Sequence, residues 1–262
     1  MPTSNTINLT MPIQPYLPVG AVHAWESPCW TESISRLAYN GAELFFISMG
    51  TGTGTRLRTT GFAAEDGAKI LDVPLPDLAN RPTIVVTIPK GAGEQITEAD
   101  IERAFAEVEW ADEAVLLRTG WGDADRWLEL GERFALDTPT LTADAATRLA
   151  KIMADHGSTL LLTDCAHLDA ADSFARSEWA ELKPWLRPSW PSEQAKAYVR
   201  HYTPEKAAAD WVSTVALTEA AHVVVGLAGC GGLAPSRQLV TILPMFIEDV
   251  AEAPCTVVAQ QA

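Results

Sequence analysis

The sequence predicts an α/β fold. Three observations carry this: strand-length apolar runs such as AELFFISM, TIVVTI and STLLLT, amphipathic segments opened by capping threonines, and the alternation of the two along the chain.

Taken in order, Ile7–Leu9 is a short β-like run, followed by Pro12, Pro15, Pro18 and Gly20. Ala42–Met49 reads as a buried strand that runs into a Gly/Thr loop, and Thr83–Ile88 as a second, ended by Pro89 and Gly91. Thr97 caps a helix, because Asp100 stands three residues on, where a carboxylate reaches the open amides. Ile101, Ala104, Phe105 and Val108 give that helix its apolar stripe. Ala114–Leu117 is a strand ending in Arg118-Thr119-Gly120. Thr142 caps the next helix, with Ala146, Leu149, Ala150 and Met153 as its face and Gly157 at C′. Ser158–Thr163 is a buried strand leading to Asp164. Ala216–Ala221 reads as helix; Val223–Leu227, Val240–Leu243 and Thr256–Ala259 read as strands. The stretch from about 170 to 211 differs. Trp179, Trp185, Trp190 and Trp211 stand among Pro184, Pro188 and Pro191, which suits a lid or an oligomer interface.

Composition bounds the function. The 262 residues carry 19 basic and 34 acidic side chains, a net charge of −15. With no linker in view, a single domain spanning 1–262 is expected. An acid excess argues against binding a phosphate backbone or an anionic membrane. The longest apolar stretches are too short to span a bilayer, and MPTSNTINLT lacks the basic start and apolar core of a signal peptide. Cys29, Cys165, Cys230 and Cys255 stand far apart without a CxxC, so reduced thiols and a cytoplasmic location are expected.

The order of elements resembles the metal-dependent cyclase family, which contains bacterial kynurenine formamidase and isatin hydrolase. INLTMPI looks like that family's first strand, and VVTIPKGAGEQITEADIERA like its strand, loop and capped helix. AVLLRTGW is similar to its LxRTGW segment, and TDCAHLD stands at its Asp-x-x-Ser-x-Asp turn. VVVGLAGCGGL and PMFIEDVAEAPCTVVA resemble its closing strands. The resemblance implies a swivelling β/β/α cyclase-like fold, a mixed sheet with helices packed outside, assembled as a homodimer or homotetramer.

The resemblance also implies His-x-Gly-Thr-His-x-Asp-x-Pro-x-His, whose imidazoles and carboxylate hold a metal that activates water. Gly54-Thr55 fits the central pair, but Gly52, Arg56, Arg58, Thr60 and Phe62 stand at the ligand and proline positions. Ser213 and Val225 fall where the family has a later His and Glu. Guanidiniums repel a cation, so no family-type metal site and no cofactor are expected. Arg56 and Arg58, two apart on an extended run, face the same side. They are expected either to hold an anion, such as a substrate carboxylate, enolate or phosphate, or to fill the vacated volume against local acids. Thr53, Thr55, Thr59 and Thr60 would line the loop.

Asp164, His167 and Asp169 follow a buried strand. His167 beside carboxylates suits a general base; the alternative is a turn whose aspartates accept backbone hydrogen bonds. His23 suits a second proton carrier, with Trp25 and Trp30 as an aromatic wall. Cys165 is read as a small buried hydrophobe rather than a nucleophile. GTGTGT lacks the Lys and capped helix of a P-loop.

Three functions follow. The first is a metal-independent small-molecule enzyme carrying out cyclisation, ring opening, isomerisation or elimination in specialised metabolism, on an anionic substrate held by Arg56 and Arg58. The second is a non-catalytic ligand-binding or partner-stabilising relative. The third is an amide or lactam hydrolase with its metal moved to Asp164, His167 and Asp169.

Overall fold

Leu116, Leu162, Val224, Leu57 and Ala253 lie side by side on five neighbouring strands. The computed structural model in which they do so describes residues 6–14, 29–169, 211–235 and 237–261. The row crosses β7 (Ala114–Arg118), β9 (Leu160–Thr163), β10 (His222–Val225), β4 (Arg56–Arg58) and β12 (Glu252–Gln261). β12 also pairs along its length with β11 (Gln238–Pro244), and β11 pairs with β5 (Arg81–Thr87), which returns to β7. Seven strands thus close on themselves, and β1 (Thr6–Asn8) continues the edge of β12 beyond β4. β5, β7, β9 and β10 run parallel, and the other pairings of this sheet are antiparallel. β6 (Gln95–Ile96) and β8 (Thr140–Leu141) pair parallel in a small sheet of their own.

Period-two alternation then sorts the side chains. Leu57, Leu116, Leu162, Val224, Ile242 and Val257 fill the inside of the closed sheet. Val115, Leu117, Leu161, Val223 and Val225 point outward, where helices cover them. Each such side chain contributes roughly 1.5–3 kcal/mol on burial.

Helix α1 (Glu98–Phe105) begins as its spacing predicts. Asp100 Oδ2 accepts from Thr97 N at 3.0 Å, and Thr97 Oγ1 accepts from Asp100 N at 3.3 Å. Lys90 Nζ donates to Asp100 at 2.8 Å and, with the Thr97 donors, holds that carboxyl far below the usual carboxylate range. Helix α2 (Ala143–Asp155) is capped by Thr142 and buries Ala146, Leu149 and Met153. Helix α3 (Val212–Ala220) starts earlier than its apolar run suggests, because Asp169 caps it from outside. Asp169 accepts from Ser213 N at 2.7 Å and from Thr214 N at 3.0 Å. No helix among the described residues is long and apolar enough to cross a membrane.

One expectation is corrected. The AELFFISM segment is a strand, β3 (Leu44–Ser48), but it is not buried. It pairs with β2 (Trp30–Ser35) in a separate two-stranded hairpin, and Leu44, Phe45, Phe46 and Ile47 are each about half exposed. A continuous apolar run shows that both faces want cover, not that this chain's own core supplies it. The Trp/Pro-rich stretch expected at about 170–211 lies outside the described residues except for Trp211.

Candidate functional site

The site grows from three strands. β4 lies between β10 and β12, with Arg56 opposite Val225 and Pro254, and Arg58 opposite Val223 and Glu252. Leu57 points inward, so Arg56, Arg58 and Glu252 share the outer face. Arg56 therefore stands at the carboxyl ends of the parallel strands, the usual place for ligands in α/β sheets.

The two guanidiniums are buried and converge on one oxygen. Glu252 Oε1 accepts from Arg58 Nε at 2.6 Å and from Arg56 Nε at 3.0 Å. Arg56 also donates to Gly54 O at 3.1 Å and to Ala166 O at 3.0 Å. Burial pushes the Glu252 carboxyl up, but Arg58 and Arg56 outweigh it and hold it below the usual range. Arg58 lies 4.7 Å from the centre of the Phe62 ring and 5.4 Å from that of Trp211, the rings being 5.1 Å apart. Among the described residues, no group accepts a hydrogen bond from either Nη of Arg58.

Arg56 Nη2 lies 3.1 Å from His167 Nδ1. A guanidinium only donates, so Nδ1 accepts and the ring proton sits on Nε2. His167 was expected beside carboxylates; the structure puts Arg56 on it instead, and the lone pair a general base would use at Nδ1 is taken.

Asp164 anchors a loop, the role that the turn reading of its position left open. It is fully buried and accepts from Thr119 N and Oγ1 at 2.8 Å each, Gly120 N at 2.9 Å and Gly122 N at 3.2 Å. Burial raises its pKa, while these donors oppose the rise. Gly122 is required there, since a Cβ would stand 2.3 Å from Leu227 O.

The loop threonines also divide. Thr55 Oγ1 donates to Gly226 O at 2.6 Å and accepts from Met11 N at 2.9 Å. Thr59 Oγ1 reaches the Ala68 and Ala251 carbonyls, and Thr60 Oγ1 accepts from Ala68 N at 3.0 Å. These three hydroxyls hold backbone together. Thr53 Oγ1 alone is buried with no hydrogen bond among the described residues. Burial and Asp164 push the Cys165 thiol up to about 12, so it stays protonated. Ser213 Oγ donates to Leu141 O at 3.0 Å, and Val225 packs in the outer core. His23 and Trp25 lie outside the described residues. Trp30 belongs to the hairpin, 6.1 Å from Phe46.

Sequence reasoning missed Glu252 and placed Trp211 only in a stretch suited to a lid or an oligomer interface, not against Arg58. Pro254 and the acidic run before it hide the start of β12. The sequence offered only that two buried arginines need an acid, with 34 to choose from.

A closed mixed sheet with helices outside is the architecture of a cyclase-type fold. The Cyclase family model matches residues 7–170, and the chain belongs to that family. Among solved structures, it is similar to isatin hydrolase A from Labrenzia aggregata bound to benzyl benzoate, with 18% identity and a TM-score of 0.69 over 98% of this chain and 93% of that one. Isatin hydrolase A from Ralstonia solanacearum gives 17% and 0.69 over 98% and 92%. A predicted metal-dependent hydrolase from Bacillus stearothermophilus gives 16% and 0.65 over 99% and 100%. Identities this low speak to fold alone. Comparison with curated protein sequences finds no match.

The cation that such a hydrolase name implies does not fit the residues present. Arg56 and Arg58 carry no lone pair to give, and each brings a fixed positive charge. Asp164, His167 and Asp169, the alternative ligand set, do not converge: one holds the 119–122 loop, one faces Arg56 and one caps α3. No group of three His, Cys, Asp or Glu side chains among the described residues is placed to hold a metal.

Proposed function

We propose that this chain is a small-molecule enzyme on the cyclase fold that works without the family metal. Its substrate is a small organic anion, and Arg58 is the group that meets it. The observation that carries this reading is the Arg56–Glu252–Arg58 cluster, in which two fixed cations braced by one carboxylate stand at positions where the family resemblance implies metal ligands. Glu252 and the Phe62 and Trp211 rings set the plane of the Arg58 guanidinium, leaving its two Nη groups to take a carboxylate side by side. Such a clamp stabilises developing negative charge and suits ring closure, ring opening, isomerisation or elimination, where positioning and proton transfer suffice. The work would take place in the cytoplasm, as a step in specialised metabolism, and in a homo-oligomer.

One observation favours a second reading, a ligand-binding relative without catalysis. Arg56 occupies His167 Nδ1, so the cluster is built to hold an anion more clearly than to move a proton.

The test is calorimetric titration of tag-free protein with benzoate and with inorganic phosphate, beside elemental mass spectrometry. Benzoate binding lost in Arg58→Ala, with less than about a tenth of an equivalent of zinc or manganese, supports the proposal. Stoichiometric bound metal, or benzoate binding unchanged by Arg58→Ala, would overturn it.

A further inference from the structure

Glu252 spends one oxygen on two cations. Arg58 Nε and Arg56 Nε both donate to Oε1, at 2.6 Å and 3.0 Å. An ionised carboxylate has two oxygens and about four lone-pair sites. Yet among the described residues no group donates to Oε2. Nor is Oε2 sealed off: 10% of the Glu252 side chain is exposed, against 1% and 2% for those of Arg56 and Arg58. A carboxylate that only braced the cluster would have both oxygens satisfied, as buried polar atoms do.

An open donor stands beside this open acceptor. Glu252 and Arg58 are partners in the β12–β4 register and share the outer face. The Phe62 and Trp211 rings, 4.7 Å and 5.4 Å from the guanidinium carbon, hold the plane of Arg58. Its Nη groups meet no acceptor among the described residues. Oε2 and the nearer Nη are each two bonds from the atoms of the 2.6 Å contact. An acceptor and a donor placed side by side read a ligand that carries a donor and an acceptor a few bonds apart. A carboxylate oxygen and a hydroxyl on the next carbon have that spacing.

We infer that Glu252 is a specificity-determining residue whose Oε2 accepts a hydrogen bond from the substrate, and that the substrate is an α-hydroxy carboxylate, with its carboxylate on Arg58 and its hydroxyl on Glu252. This rests on the anion reading proposed above and names the class of anion. A plain carboxylate engages Arg58 but covers Oε2 without giving it a donor, and a covered acceptor left unpaired is penalised. That is how a site built around a hydroxyl rejects the analogue lacking it. An α-ammonium group also donates, but it would bring a third cation beside the two guanidiniums. A fully ionised phosphate would turn a charged oxygen toward Oε2, where like charges repel.

Calorimetric titration of the full chain with mandelate, α-fluorophenylacetate and α-methoxyphenylacetate is the test. The fluorine matches the hydroxyl in size, and neither it nor the ether can donate. One mandelate enantiomer is expected to bind about tenfold or more tighter than either analogue, and Arg58→Ala to weaken all three. In Glu252→Gln the two Nε–H groups hold the amide oxygen at the place of Oε1, so the NH2 stands where Oε2 was. It donates to hydroxyl and ether alike, and the gap between mandelate and its methyl ether closes. Far-UV circular dichroism checks the fold of each variant. If Glu252→Gln fails to fold, the comparison of mandelate with α-fluorophenylacetate on wild type decides alone. No binding of any of the three, or binding unchanged in Arg58→Ala, would overturn the anion reading and this assignment together. Binding that Arg58→Ala removes, with mandelate no tighter than α-fluorophenylacetate, would overturn this assignment alone. So would a folded Glu252→Gln that keeps the gap between mandelate and its ether.

Discussion

Glu252 faces Arg58 across the β12–β4 pairing and accepts its Nε at 2.6 Å while holding Arg56 Nε on the same oxygen. The acid comes from β12, and β10, on the other flank of β4, presents Val225 and Val223. One carboxylate thus serves two buried cations.

Removing that carboxylate leaves two guanidiniums without their shared partner. Glu252→Gln is expected to cost about 3–5 kcal/mol of stability, as breaking a buried pair does. Urea unfolding of wild type and variant measures it, and a loss under about 1 kcal/mol would show the cluster to be hydrated and weak.

The same pair has a pH signature. Glu252 ionises more readily folded than unfolded, since the two arginines outweigh its burial. Its contribution is fully present above the ordinary glutamate value of 4.5 and is lost as pH falls through the lower folded value. The stability gap between wild type and Glu252→Gln should be widest near neutral pH and shrink in acid below about 4. Urea midpoints down the pH series check this; a gap constant over that range would assign the loss to packing.

Asp164→Asn keeps the shape but turns an amide donor toward backbone donors. The Asp164 oxygens take Thr119, Gly120 and Gly122, and a loss of about 1–3 kcal/mol is expected. Hydrogen exchange should show the 119–122 amides released first. The carboxyl's raised pKa gives wild type the opposite pH trend from Glu252: its stabilising effect is fullest below the ordinary aspartate value of 3.8 and falls as pH rises through the higher folded value.

Gly226 has φ of +73°, and a Cβ there would lie 3.2 Å from Gly54 O, beside the Thr55 hydrogen bond to Gly226 O. Gly226→Ala is expected to cost about 1–3 kcal/mol and to weaken benzoate binding, because the Gly54 carbonyl anchors Arg56. Thermal denaturation and calorimetry together read both effects.

All four cysteines are free and buried, and burial pushes the thiols of Cys165, Cys230 and Cys255 up. Ellman's reagent at mildly alkaline pH should therefore label them only as the protein unfolds. Fast labelling of folded protein would show that this core opens locally.

The helices and central strands were legible because their signals are local. Thr97 with Asp100 and Thr142 with Ala145 act within one turn, and the runs of β5, β7 and β9 are long enough for their neighbours to define them. The sequence by itself therefore determined the α/β class, the caps and the family, and it drew attention to Arg56 and Arg58. Only the tertiary structure decided what those arginines meet. Glu252 lies 194 residues from Arg58, in a strand whose start Pro254 disguises, and pairing at that distance depends on sheet closure, which no local pattern encodes. The same holds for β3: its apolar run demanded cover, and whether that cover is this chain's core or another surface is settled by which strands pair. Asp164 and His167 stand three apart on one turn, yet the fold sends one to the 119–122 loop and the other to Arg56. Their chemistry is set by partners that local sequence does not name.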